Sequence, residues 1–171
     1  MDQWNNGAAV VELVHKLEAG ALGLQPIARS RLVLIGTSAG GLATVLAAAK
    51  LPGLAGWVGL DPVDRTGSGI HAAAQMTAPS VVLLAERSGC NLYGSGRSIA
   101  RAAPGLLRST LLHGASHCDF EGPTTKLCRV ICGESSSGMQ GLARDATVTA
   151  TLEMLRDRDD HPTPSVDESP E

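Results

Sequence analysis

A serine, a histidine and a carboxylate spread along this chain have the types needed for acyl transfer. The serine is Ser38, at the centre of Gly36-Thr37-Ser38-Ala39-Gly40. A G-x-S-x-G pentapeptide set between an apolar strand and a helix forces the serine onto a tight, strained turn and leaves its hydroxyl exposed. The flanks fit: residues 32–36 are an apolar run, and Leu42 to Lys50 is rich in Ala and Leu, which favour helix. Small residues at 36, 39 and 40 let the two backbones approach. The helix N-terminus aims free N–H groups and a positive dipole end at the site, and the backbone N–H of Ala39 is the candidate donor to a developing oxyanion. A plainer reading of the same residues is a glycine-rich turn with an N-capping serine.

The base must come late in the chain, after the last strand. His117 lies there, in Gly114-Ala115-Ser116-His117-Cys118-Asp119-Phe120-Glu121. His113, at the strand end, competes with it. His15 and His71 fall on helical stretches, and His161 falls in the tail. Two carboxylates follow strands and can reach the His117 loop: Asp61 after the second and Glu86 after the third. Asp64 is a weaker third, and Asp119 reads as a loop or helix cap. The acid's task is to hold the imidazole tautomer and stabilise the imidazolium.

These groups need a frame. Val10, Leu13, Val14 and Leu17 recur at helical spacing, after Asn6-Gly7 and before Gly20, with Glu12 and Lys16 as an i,i+4 pair on the opposite face. Apolar runs at 32–36, 56–60, 80–85 and 107–112 read as strands buried on both faces. Helices are expected at 42–50, at 97–103, from about Pro123 to Cys132 and over 139–156, with a helical turn near 71–76. The alternation predicts an α/β domain over 1–156, a parallel sheet of about four strands with flanking helices. The charged, Pro-rich segment 157–171 reads as a disordered tail.

Composition narrows the function classes. The 171 residues carry a net charge of −3 and only 2% aromatics, so the core must be built from Ala, Val, Leu and Ile, and Tyr93 and Trp57 read as core or pocket wall. No basic run interleaved with aromatics suggests nucleic-acid binding, and no apolar run reaches the length of a membrane span. The N-terminus reads as an amphipathic helix rather than a signal peptide, and the compartment stays open. Cys90, Cys118, Cys128 and Cys132 allow a disulfide, with the pairing undetermined; buried free thiols are the plain alternative. His117 with Cys118, Cys128 and Cys132 has zinc-ligand types but not the spacing of a structural zinc site. No metal or cofactor is therefore expected. Gly36-x-Ser38-x-x-Gly41, with Asp61 after the next strand, also resembles a broken dinucleotide fingerprint; Ser38 in place of the middle glycine would crowd a pyrophosphate.

Gly59-Leu60-Asp61-Pro62 resembles the G-[IL]-D-P segment of chlorophyllases and pancreatic-type lipases, both α/β-hydrolases. Chlorophyllases continue D-P-V-x-G, where this chain has Arg65 in place of the glycine. Their elbow is G-H-S-R-G-G, and Thr37 and Ala39 replace its His and Arg. Their terminal G-H-x-D setting is similar to His117 and Asp119, with Ser116 in place of the adjacent glycine. The likeness covers about residues 1–132. It implies a serine hydrolase of small-molecule carboxylic esters, with Ser38, Asp61 and His117 as the catalytic set, although the usual acid position of the superfamily corresponds to Glu86. It also implies a full fold of about eight strands. The four strands here match the last four, which predicts a partial α/β-hydrolase fold lacking the N-terminal strands and the second oxyanion donor. An open first strand, self-association through it, poor solubility and weak activity follow as expectations. The alternatives in other classes are a non-catalytic hydrolase-derived binding domain and a nucleotide-binding α/β domain.

Overall fold

Each expected strand forms, but the last is neither apolar throughout nor buried on both faces: Arg108, Ser109 and Thr110 lie at its centre and Leu107 is exposed. A computed structural model describes residues 3–160, with side chains described over 6–156. The strands are β1 (Val33–Thr37), β2 (Gly56–Leu60), β3 (Ser80–Leu84) and β4 (Leu106–Leu111). They form one parallel sheet in the order β1-β2-β3-β4. Val33 lies opposite Gly56, Trp57 opposite Ser80, and Leu84 opposite Leu111. This is the α/β architecture that the alternating pattern predicts.

The helices are α1 (Gln3–Glu18), α2 (Ser38–Ala48), α3 (Ser68–Gln75), α4 (Gly96–Ala102), α5 (Lys126–Cys132) and α6 (Ser137–Asp160). Consecutive parallel strands joined by crossovers of one hand place the crossover helices on one face, so α2, α3 and α4 share a layer, which α1 joins by packing on α2. Leu42, Val45, Trp57, Met76, Val82 and Ile99 fill the core on this side. On the other face α6 lies across the sheet, with Ala143, Ala150 and Met154 against Val58, Leu60, Val81 and Leu83. Adjacent residues such as Val81 and Val82 thus enter different cores, which is the physical basis of the unbroken apolar runs. Trp57 is fully buried and its Nε1–H donates to Thr44 Oγ1 at 3.0 Å. A Cβ on Gly59 would come within 2.5 Å of the indole ring, so the strand needs glycine there.

Several boundaries differ from expectation. Helix α1 runs through Asn6-Gly7 instead of starting after it; Gly7 is buried where α1 crosses α2, and a Cβ there would press on Leu46. Of the expected stripe Val14 is buried, while Leu13 is 48% exposed and Val11 packs on the core in its place. The Glu12–Lys16 pair forms at 2.7 Å. Helix α2 begins at Ser38 itself, residues 68–75 make a full helix, and α5 starts only at Lys126, where Thr125 Oγ1 accepts from the N–H of Cys128. Helix α6 continues through Asp160, past the expected tail boundary at 157; the rest of that tail, His161 included, lies outside the described residues. Tyr93 is 75% exposed and belongs to no core. Strand β1 is a sheet edge, with Ile35 41% exposed. Among the described residues no helix is long and apolar enough to cross a membrane.

Candidate active site

The carboxyl ends of parallel strands are where such sheets gather ligand groups, because each strand delivers a loop to the same edge. Ser38 follows β1, Asp61 follows β2, the 86–95 loop follows β3, and His117 follows β4. Ser38 sits at φ +54°, in left-handed backbone. A serine held there costs on the order of 1–3 kcal/mol and persists only where packing fixes it. The packing comes from absent side chains. A Cβ on Gly36 would overlap the Gly40 carbonyl and the Thr44 hydroxyl, and one on Gly41 would lie 2.7 Å from Pro62 Cβ. A Cβ on Gly40 would meet nothing within 4 Å and Ala39 is exposed, so of the close approach expected at 36, 39 and 40 only Gly36 takes part, and Gly41 supplies the second point. Ala39 lies in the first turn of α2, where backbone N–H groups have no intrahelical acceptor.

His117 opens a short 3-10 turn, His117–Phe120, and is 5% exposed. Ser116 and Asp119 form a capping box around it. Asp119 accepts from the Ser116 N–H at 2.8 Å and, through its other oxygen, from the Ser136 N–H at 2.9 Å. It is a structural cap, as its position suggests.

Asp61 is fully buried, also in left-handed backbone at φ +41°. Its Oδ1 accepts from the Ala85 N–H at 3.1 Å. Its Oδ2 lies 2.7 Å from His117 Nδ1, and His117 Nε2 lies 2.9 Å from Ser38 Oγ. An ionised carboxylate only accepts, so Nδ1 carries the proton, and the neutral ring presents Nε2 as acceptor to the serine hydroxyl. A continuous hydrogen-bonded chain therefore runs from carboxylate through imidazole to hydroxyl. Such an arrangement can draw a proton off the hydroxyl as its oxygen attacks an electrophile.

The other candidates fall elsewhere. Glu86 is half exposed and lies 3.5 Å from Nδ1 of the exposed His113, so the competing acid pairs with the competing histidine. Both carboxylate oxygens of Asp64 are occupied by backbone N–H groups: Oδ1 by Thr66 and Gly67, Oδ2 by Gly69 and Ile70. It caps α3. His15 and His71 are exposed on helices.

The four cysteines form two disulfides, Cys90–Cys132 and Cys118–Cys128, which replaces the free-thiol alternative. The sulfurs of Cys118, Cys128 and Cys132 lie within 4.8 Å of one another. All three are spent in S–S bonds, and both nitrogens of His117 are engaged, so this oxidised cluster offers no thiolate to a metal. The disulfides tie α5 beside Ser38. There an open cavity of about 580 Å³ contains Ser38 and His117, with Val63, Leu92, Leu127 and Ile131 among its walls. A cavity of similar size, about 570 Å³, lies along α6 and contains neither Ser38 nor His117.

Sequence reasoning missed Asn91. Its side chain is fully buried and donates to Asp61 Oδ2 at 3.0 Å. It lies in a glycine-punctuated stretch that reads only as loop, and an asparagine there carries no signal of its own. No family model matches the chain, and no curated protein does.

Proposed function

We propose that the chain is a serine hydrolase of carboxylic esters that works through an acyl-enzyme. The observation that carries this reading is the unbroken link from Asp61 through His117 to Ser38, 2.7 Å and 2.9 Å long, at a serine on left-handed backbone where a strand enters a helix. His117 Nε2 takes the hydroxyl proton as Ser38 Oγ bonds to the ester carbonyl carbon. The N–H of Ala39 stabilises the oxyanion that develops. Nε2 then gives its proton to the departing alkoxide, and the acyl group stays on Ser38. Water repeats the sequence and releases the carboxylic acid. Asp61 holds the ring and stabilises its positive charge throughout.

The order Ser38, Asp61, His117 and the placing of the acid after β2 agree with the resemblance to chlorophyllase-like and pancreatic-lipase-like α/β-hydrolases, with the four strands corresponding to the last four of that fold. The cavity walls are mixed, with Val63, Leu92, Leu127 and Ile131 beside Arg65, Glu121 and Thr125, which admits a small-molecule ester without selecting its acyl or alcohol group. Against the nucleotide-binding alternative stands the engagement of Asp61: its oxygens receive Ala85, Asn91 and His117, which leaves little capacity for a ribose hydroxyl.

The test is a fluorophosphonate probe read by mass spectrometry. Labelling at Ser38 that disappears in Ser38→Ala is the expected result. An unlabelled protein would favour the non-catalytic binding domain, and labelling that survives Ser38→Ala would remove Ser38 from the role.

A further inference from the structure

We infer that Asn91 is a positioning residue for Asp61, holding the carboxylate in the orientation in which His117 is aimed at Ser38; this rests on the ester-hydrolase reading. The amide is fully engaged. Nδ2 donates to Asp61 Oδ2 at 3.0 Å and to the Glu86 carbonyl at 2.8 Å, while Oδ1 accepts the N–H groups of Ser88 and Gly94, each at 2.9 Å. Two backbone donors facing Oδ1 fix which end of the amide is which, so the group facing Asp61 is the NH₂.

The geometry gives that contact a purpose beyond closing a loop. Asp61 has three donors, two on Oδ2 (His117 and Asn91) and one on Oδ1 (Ala85). The Ala85 bond alone fixes one oxygen and leaves the carboxylate free to swing about it. The Asn91 bond fixes the second oxygen, the one that His117 uses. Asn91 is in turn anchored at the end of β3 through Glu86, and its neighbour Cys90 is tied to α5 by the disulfide to Cys132. An uncharged donor is also the right type: it steadies an anion without competing with the imidazolium for it.

Two substitutions separate positioning from loop closure. Asn91→Asp keeps an acceptor for Ser88 and Gly94, loses the bond to the Glu86 carbonyl and turns a second carboxylate toward Asp61. Asn91→Ala removes every bond. The readouts are the low-field proton resonance of His117 Nδ1–H, assigned by its loss in Asp61→Asn, and the rate at which a fluorophosphonate labels Ser38. Both variants are expected to displace or broaden the resonance and to slow labelling about 100-fold, the penalty of a misplaced catalytic group. Asn91→Asp with an unchanged resonance and labelling rate would overturn the inference. A third measurement needs no variant. In the unaltered chain, one Asn91 side-chain proton should give a nuclear Overhauser effect to the His117 Nδ1–H, because both donate to Asp61 Oδ2, and its absence overturns the inference even where the variants do not fold. An unaltered chain that gives the resonance without labelling would sink the ester-hydrolase reading, while the resonance arms still decide the role of Asn91.

Discussion

At the scale of residues, two of the three linked side chains, Asp61 and His117, are held from more than one direction. Asp61 is anchored by two donors besides His117, and His117 is bracketed by a capping box and a disulfide at its neighbour Cys118. This separates Asp61 from Glu86, which has only an exposed histidine and a long contact to the Gly114 N–H. For the proposed hydrolase, Asp61→Asn should lower kcat/KM on a chromogenic ester by about 10⁴-fold, because the imidazole loses its tautomer control. Glu86→Gln should stay within about threefold of the unaltered chain, as expected for a surface side chain with weak partners. Loss of activity in Glu86→Gln alone would reverse the assignment of the acid.

At the scale of elements, the strand–helix junction at Ser38 depends on glycines whose roles differ. Gly36→Ala would drive a methyl group into the Gly40 carbonyl and the Thr44 hydroxyl, and should destabilise the fold by about 3 kcal/mol as an overpacking change. Gly40→Ala meets open space on α2 and should be neutral or stabilising by up to about 1 kcal/mol through helix propensity. Urea denaturation of the two variants checks this, and similar losses in both would contradict the packing account. The pentapeptide pattern treats these glycines alike. Only the path of β2 into Pro62 reveals that Gly41, outside the pentapeptide, is the second close-approach point.

At the scale of the whole molecule, the two disulfides fasten the carboxyl-edge loops to one another. Helix α5 has seven residues, and Leu127, Val130 and Ile131 are exposed on it. A helix this short is marginal alone, so its place beside Ser38 depends on Cys128 and Cys132. The Cys90–Cys132 link spans 42 residues and Cys118–Cys128 spans 10. Loop-closure entropy assigns them about 4 and about 3 kcal/mol. Replacing the Cys90/Cys132 pair by serines should therefore lower the unfolding free energy at least as much as replacing Cys118/Cys128. Reduction of the intact chain should raise amide exchange over 126–132 before it does so in β2 or β3. Equal protection of α5 with and without reductant would show that the helix stands without its tethers.

The sequence alone determined the layout: four strands alternating with helices, three of them apolar runs, Ser38 on a strand–helix turn, and His117 after the last strand. These are local or periodic properties, set by side-chain spacing and backbone sterics within a few residues. It left the acid open between Asp61 and Glu86, gave no cysteine pairing, and passed over Asn91. Apart from Cys118–Cys128, 10 positions apart, those matters depend on contacts between residues 30 to 56 positions apart, and no local pattern encodes which of two carboxylates meets a given imidazole. Tertiary packing decided it, by burying Asp61 among donors and leaving Glu86 in water.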